Sequence, residues 1–294
     1  MTIGELLTLA QSKLIDVGFN KQIAKQDCEE ILLHVCHFNK SDLILKSKEQ
    51  VNKIIASIFE KSIQERLKHR PIQYITNNSI FFGYNFFVNE NCLIPRIDGE
   101  VLVEKAIEII KQDKKNYFLN DIKILDLCCG SGCLGISLVK YLLEKRIFNK
   151  ENIELTLIDK SSQAIQVARI NCQKHNIIAK FIINDILLNG IGNEKYNIVL
   201  CNPPYIETSI INTLDDEVKN FEPHIALDGG DDGLKFYRFL SQIIKQNLHH
   251  TSKAVFEIAY NQGTQVSGIF NNSGFNTKIV KDYGNKDRCI IVSL

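Results

Sequence analysis

Four short apolar runs constrain the fold of this chain more than any other feature. They are ILDLC (Ile124–Cys128), LTLID (Leu155–Asp159), FIIND (Phe181–Asp185) and NIVLC (Asn197–Cys201). Each is strand-length, and ILDLC and NIVLC read as buried strands. A glycine-containing turn after the first leads into a helical pattern through Leu143, and a second helical pattern holds Ala164, Val167 and Ala168. A helix near Leu234–Leu248 precedes a further strand, AVFEIA (Ala254–Ala259), and two short strands follow Gly274. Strands that alternate with helices build an α/β domain, a mostly parallel sheet covered on both faces.

The N-terminal part has a different texture. Thr2 and Glu5 have the spacing of a capping box, and Ile3, Leu6, Leu7, Ala10, Leu14 and Val17 follow a helical period. A second helix carries Ile31, Leu32 and Val35. A third runs from Val51 through Leu67 and ends near Pro71, because proline disfavours helical geometry in the residue before it. These helices predict a small bundle over residues 1–75. IFFGYNFFV (Ile80–Val88) reads as a β-hairpin within a linker over residues 76–98. A helix near Glu100–Ile110 then opens the α/β domain, residues 99–294.

Bulk properties exclude several function classes. The formal net charge of +1 provides no broad footprint for nucleic-acid phosphates. Nine cysteines at irregular spacing, two of them adjacent, do not form a secreted disulfide framework, and reduced thiols in a cytoplasmic protein are expected. No cysteine or histidine spacing suits a zinc site, so no metal is expected. No apolar run reaches the length of a membrane span, and the N-terminus does not resemble a signal peptide.

The first chemical signal is the loop CCGSGCLG after Ile124–Cys128, in which Gly130, Gly132 and Gly135 form GxGxxG. Glycines at a strand-to-helix junction permit a tight turn and close approach of backbone to a ligand. Asp159 ends the next strand, where its carboxylate can accept both hydroxyls of a ribose. This pattern alone fits a nicotinamide dinucleotide or S-adenosylmethionine. Asp126 favours the second, because it resembles the D-L-x-x-G-x-G motif of class I methyltransferases.

The second signal is Asn202-Pro203-Pro204-Tyr205, directly after the strand NIVLC. The prolines fix the backbone and remove N–H donors, so the loop offers carbonyl oxygens without competing donors. Such a loop suits a planar –NH2 group. Asn202 Oδ1 can accept one N–H and the Pro203 carbonyl the other, while Tyr205 can stack on the flat group. Catalysis would then be alignment and electrostatics, with the nitrogen held at a near-attack distance.

Together these loops resemble those of the HemK/PrmC family, the release-factor glutamine methyltransferases. RPIQYI (Arg70–Ile75), FFGYNFFV (Phe81–Val88), LIPR (Leu93–Arg96), FEPHIALDGGDDGL (Phe221–Leu234) and DYGNKDR (Asp282–Arg288) extend the resemblance to nearly the full length. It implies a class I methyltransferase domain with a seven-stranded, mostly parallel sheet. It also implies S-adenosyl-L-methionine as donor, S-adenosyl-L-homocysteine as product, and N5-methylation of the Gly-Gly-Gln glutamine of translation release factors. Carried over by position, Cys128, Cys129, Gly130, Ser131 and Gly132 line the methionine side of the donor. Asp159 holds its ribose, Asp185 and Ile186 sit by its adenine, and Asn202 also adjoins it. Asn202, Pro203, Pro204 and Tyr205 hold the glutamine amide, with Phe86 as a second wall and the helical domain recognising the release factor.

The chain departs from the family where PRIDGE (Pro95–Glu100) replaces PRPETE, where Cys128 replaces a usual glycine, where Ile186 replaces an aromatic found in some relatives, and where Ala259 replaces a frequent glycine. An adenine N6-methyltransferase acting on DNA or RNA shares the NPPY loop, but such an enzyme must flip its base and grip phosphates. A nicotinamide oxidoreductase leaves NPPY unexplained, and a non-catalytic donor-sensing binder is the remaining alternative. His34 and His37 form no catalytic pattern. Lys46, Lys48 and Lys53, like Lys111, Lys114 and Lys115, read as solvated faces. Asp228, Asp231 and Asp232 lack the EF-hand spacing and read as a charged loop near the site.

Overall fold

The first helix begins where the capping box places it. In the computed structural model, which describes residues 1–112 and 121–294, the Thr2 hydroxyl accepts the Glu5 N–H at 3.2 Å. The Glu5 carboxylate accepts the Thr2 N–H in return at 2.8 Å. Lys114 and Lys115 lie outside the described residues. The chain divides into two units, one of Met1–Asn78 with Asp215–Phe221, the other of Ser79–Leu214 with Glu222–Leu294.

In the first unit, helices Ile3–Asp16, Lys21–Cys36, Lys40–Leu45, Lys53–Leu67 and Ile72–Thr76 follow one another. Leu6, Leu14, Ile31, Leu32 and Phe59 form its core. The helix expected from Val51 starts at Lys53, because the Asn52 side chain accepts the Ile54 N–H at 2.8 Å and caps it there. Arg66, only 3% exposed, donates to Asp27 at 2.7 Å and to Glu217 at 2.6 Å. Glu217 comes from the short helix Asp216–Phe221, so this ion cluster joins two distant stretches of sequence.

The second unit starts with a hairpin, β1 (Ser79–Phe81) and β2 (Tyr84–Phe86). Seven strands then form one sheet: β3 (Ile122–Leu127), β4 (Ile153–Asp159), β5 (Ala179–Ile183), β6 (Tyr196–Cys201), β7 (Leu248–Glu257), β8 (Asn276–Lys281) and β9 (Asp287–Ser293). Their order is β5-β4-β3-β6-β7-β9-β8, with β9 antiparallel to both its neighbours and the other pairs parallel. One face buries Ile124, Leu200 and Val255, and the other buries Leu125, Val199, Cys201 and Phe256. Apolar side chains on both faces are what the uniform runs of β3, β6 and β7 required; β5, at the sheet edge, buries none of its residues fully, and Ile183 is exposed. The chain moves outward from β3 in one direction through β4 and β5, then returns to the other side of β3 as β6. The loops after β3 and β6 therefore flank a topological switch point, the usual ligand crevice of an open α/β sheet.

Among the strand boundaries that differ from the sequence reading, two have a visible cause. FIIND contributes to β5 only through Ile183, because Asp185 leaves the sheet to cap the helix Ile186–Asn189, accepting the Leu187 N–H at 3.1 Å. Strand β7 begins at Leu248, six residues before the AVFEIA pattern, because Leu248 pairs with Tyr196 across an irregular register. Among the described residues, no helix is long and apolar enough to cross a membrane.

Candidate active site

At the switch point lies a cavity of about 250 Å³. Its walls include Cys128, Cys129, Gly130, Ser131, Asp159, Asp185, Ile186, Asn202 and Pro204, so residues from both loops meet in one space. Gly132, Pro203, Tyr205 and Phe86 do not line it.

The loop after β3 is held by backbone hydrogen bonds, one of them to β4. The Cys129 N–H donates to the Ile158 carbonyl at 3.0 Å, and the Gly132 N–H donates to the Cys129 carbonyl at 2.7 Å. Cys128, Gly130 and Gly132 all have positive φ, of 56°, 53° and 77°. For the cysteine this geometry costs about 1–2 kcal/mol. A Cβ added to Gly130 would meet nothing within 4 Å, so its backbone stands open to the cavity. Gly135 has another role. It sits inside the helix Cys133–Glu144, and a Cβ there would lie 2.9 Å from Leu155. Its N–H donates to Asp126 at 2.8 Å, so it sets the close packing of helix on sheet. Asp126 is wholly buried, and burial raises its carboxyl to about 8.

Asp159 Oδ2 accepts the Gly130 N–H and Oδ1 the Ser161 N–H, both at 2.8 Å. The carboxylate keeps acceptor capacity for a further donor such as a ribose hydroxyl. Burial pushes this carboxyl up, and the backbone N–H groups of Ser161, Gly130 and Lys160 oppose that shift. Asp185 pairs with Lys160 at 2.8 Å, which holds its carboxyl below the usual range. Beside it Ile186, 4% exposed, provides an apolar wall for a flat base. An open glycine backbone, a bridging carboxylate with spare lone pairs and an apolar wall fit a nucleoside-bearing donor.

The NPPY loop is clamped by the segment Phe221–Leu234. Ile206 donates to Leu227 at 3.0 Å and accepts from Gly229 at 2.8 Å. A Cβ on Gly229 would fall 2.7 Å from Tyr205 Cα, and one on Gly233 would fall 2.3 Å from the Tyr205 carbonyl oxygen. Both glycines are thus required by contact with this loop. Within the segment, Asp228 accepts the Thr208 hydroxyl at 2.7 Å, and Asp232 pairs with Arg238. No cluster of metal-ligating side chains occurs among the described residues.

Three functional residues were not visible from sequence. Glu257, 1% exposed, ends β7 and lines the cavity. Its Oε1 accepts the Tyr205 hydroxyl at 3.1 Å, and burial raises its carboxyl to about 7. Tyr237 donates to the Glu257 carbonyl at 2.6 Å and fixes the strand end. Asn171, wholly buried, donates to the Ser131 and Phe87 carbonyls, both at 2.9 Å, and ties the glycine loop to the hairpin segment. The hairpin presents Phe81, not Phe86, to the cavity. Phe86 is wholly buried, with its ring 4.9 Å from His175.

The fold and this site define a class I S-adenosylmethionine-dependent methyltransferase. A family model described as Methyltransferase small domain matches residues 107–219, and one described as PrmC N-terminal domain matches residues 5–76. The chain is 35% identical to the Release factor glutamine methyltransferase of Clostridium acetobutylicum, over 99% of this chain and 98% of that protein. It is 34% identical to a protein of Rickettsia typhi named Bifunctional methyltransferase, over 99% of this chain but 57% of that protein's length. Among solved structures, the hMettl16 catalytic domain in complex with MAT2A 3'UTR hairpin 6 superposes with a TM-score of 0.53 at 12% identity, covering 82% of each chain. That likeness shows the fold alone. The chain belongs to the PrmC family of release factor glutamine methyltransferases.

Proposed function

We propose that this protein methylates the side-chain amide nitrogen, N5, of the glutamine in the Gly-Gly-Gln motif of translation release factors, in the cytoplasm. The observation that carries this reading is the presence of Asn202 and Pro204 in the same cavity wall as the glycine loop and Asp159. Full-length similarity to a release factor glutamine methyltransferase supports the amide as acceptor.

S-adenosylmethionine supplies an electrophilic methyl group on a sulfonium. The chain's own residues do the rest. Asp159 holds the ribose hydroxyls, and Cys128 through Ser131 shape the methionine side. Asp185 and Ile186 flank the base. Asn202 Oδ1 accepts one amide N–H, and the carbonyl of Pro203, between the two wall residues Asn202 and Pro204, accepts the other, turning the nitrogen lone pair toward the methyl group. An amide nitrogen is a poor nucleophile, so alignment is the main contribution. Tyr205, braced through Glu257, holds the loop in register. The helical unit recognises the body of the release factor.

The net charge of +1 supports no stable binding of nucleic acid, so an adenine substrate is disfavoured. Labelled donor offered with release factor in one reaction and with DNA or RNA in another separates the two. Transfer to release factor alone is expected. Transfer to nucleic acid alone would overturn the reading.

A further inference from the structure

Asn202 and Glu257 occupy equivalent levels on neighbouring strands. Cys201 of β6 pairs with Phe256 of β7, so the next residues along are Asn202 and Glu257. Leu200 and Val255 point to one sheet face, Cys201 and Phe256 to the other. Alternation returns Asn202 and Glu257 to the first face, on strands about 4.8 Å apart. Both line the cavity. In strand order the ribose-holding Asp159 ends β4, the glycine loop follows β3, Asn202 follows β6 and Glu257 ends β7. Glu257 therefore lies beyond Asn202 from the donor, on the acceptor side.

Its two oxygens differ. Oε1 accepts from Tyr205, whereas Oε2 is buried without a hydrogen-bond partner. Such an atom is costly to bury and calls for a partner that arrives with a ligand. Oε2 faces Gly99, another cavity-lining residue, where an added Cβ would come within 3.2 Å. Glycine in PRIDGE keeps the space before Oε2 clear.

We infer that Glu257 is a catalytic residue, the acceptor of the proton that the amide nitrogen sheds on methylation. The inference rests on the functional reading above. The nitrogen forms a bond to the methyl carbon while the sulfur–methyl bond breaks, its electron pair passing to sulfur. The positive charge moves to nitrogen, which turns tetrahedral; one N–H leaves the Pro203 carbonyl as it does so, and its proton passes to Oε2. A sulfonium and a carboxylate become a thioether and a carboxylic acid, so atoms and charge balance. Other groups acting on Glu257 are the Tyr205 hydroxyl, Arg288 from β9, and Asp98 and Arg96 from the PRIDGE segment. The nearby thiols of Cys133, Cys201 and Cys289 are all pushed up by burial, so they stay neutral near pH 7.

The test is the pH profile of kcat/KM for release-factor methylation, measured beside donor affinity by calorimetry. The wild type should rise tenfold per pH unit up to about pH 7, where the Glu257 carboxyl titrates, and then level off. Glu257→Gln should lower kcat roughly 100-fold or more, lose that rise, and keep donor affinity within about twofold. Tyr205→Phe should move the rise to higher pH, because the lost hydrogen bond favours the carboxylate. If Glu257→Gln does not fold, Gly99→Ala crowds Oε2 directly and should lower kcat and displace the same rise. A Glu257→Gln enzyme with the wild-type profile would overturn the inference and leave the functional reading standing. So would a loss of donor affinity matching the loss of rate, which would instead place Glu257 on the donor's ammonium. A wild type that methylates no release factor would remove the functional reading and this inference together.

Discussion

Asp27 in the helical unit and Glu257 in the sheet unit are both buried carboxylates, 7% and 1% exposed. The first accepts a guanidinium N–H at 2.7 Å, and that guanidinium is shared with Glu217. The second accepts one tyrosine hydroxyl and keeps an oxygen without a partner. Burial raises both carboxyls. The difference lies in what the fold supplies to meet that cost. Where the unit's task is to hold two stretches of chain together, the acid has a permanent cation. Where the acid faces a ligand cavity, one oxygen is left for what binds there.

Breaking the paired site should give the largest change. Arg66→Ala leaves Asp27 buried without its cation and should destabilise the helical unit by about 3–5 kcal/mol in urea unfolding. A loss below ~1 kcal/mol would mean that the cluster is not structural. On the other side, Asn202→Ala should cut methyl transfer by about 10²–10³-fold with little change in melting temperature. Full transfer by that variant would refute the amide clamp.

The unpaired acid can be probed through stability alone. The folded carboxyl of Glu257 titrates near 7, above its ordinary 4.5, so the native state binds more protons than the unfolded chain between those values. Its contribution is favourable below about pH 4.5 and is lost as pH rises through 7. Glu257→Gln should therefore match wild-type stability near pH 4.5 and exceed it by on the order of 3 kcal/mol above pH 7.5. A pH-independent difference in urea midpoints would show that the carboxyl is not perturbed. The smallest effect sits at the first helix, where Thr2→Ala removes a cap worth about 1 kcal/mol and should not touch methyl transfer.

The sheet and the reaction class were legible because their signals are local. Uniformly apolar runs set the parallel strands, and GxGxxG and NPPY each fall within a few residues. Asn171, Tyr237 and Glu257 were not legible. Each is a single polar residue whose role depends on a partner far along the chain, such as Ser131, 40 residues from Asn171, or Tyr205, 52 residues from Glu257. The glycines of the Phe221–Leu234 segment were visible, but their purpose, contact with the Tyr205 backbone, needed coordinates. The hairpin was visible too, yet which aromatic faces the cavity depended on how the hairpin docks, and Phe81 rather than Phe86 holds that place. Cys128 shows the reverse case, where a departure from the family pattern marked a left-handed backbone position.

The most direct test of the account is to locate the methyl group. The protein would be incubated with isotope-labelled S-adenosylmethionine and purified release factor, beside a release factor whose Gly-Gly-Gln glutamine is changed to alanine. Mass spectrometry would then map the label. One methyl on that glutamine, and none on the alanine version, is the predicted result. Label on any other residue, or equal labelling of both versions, would contradict the assignment of the cavity to a glutamine amide.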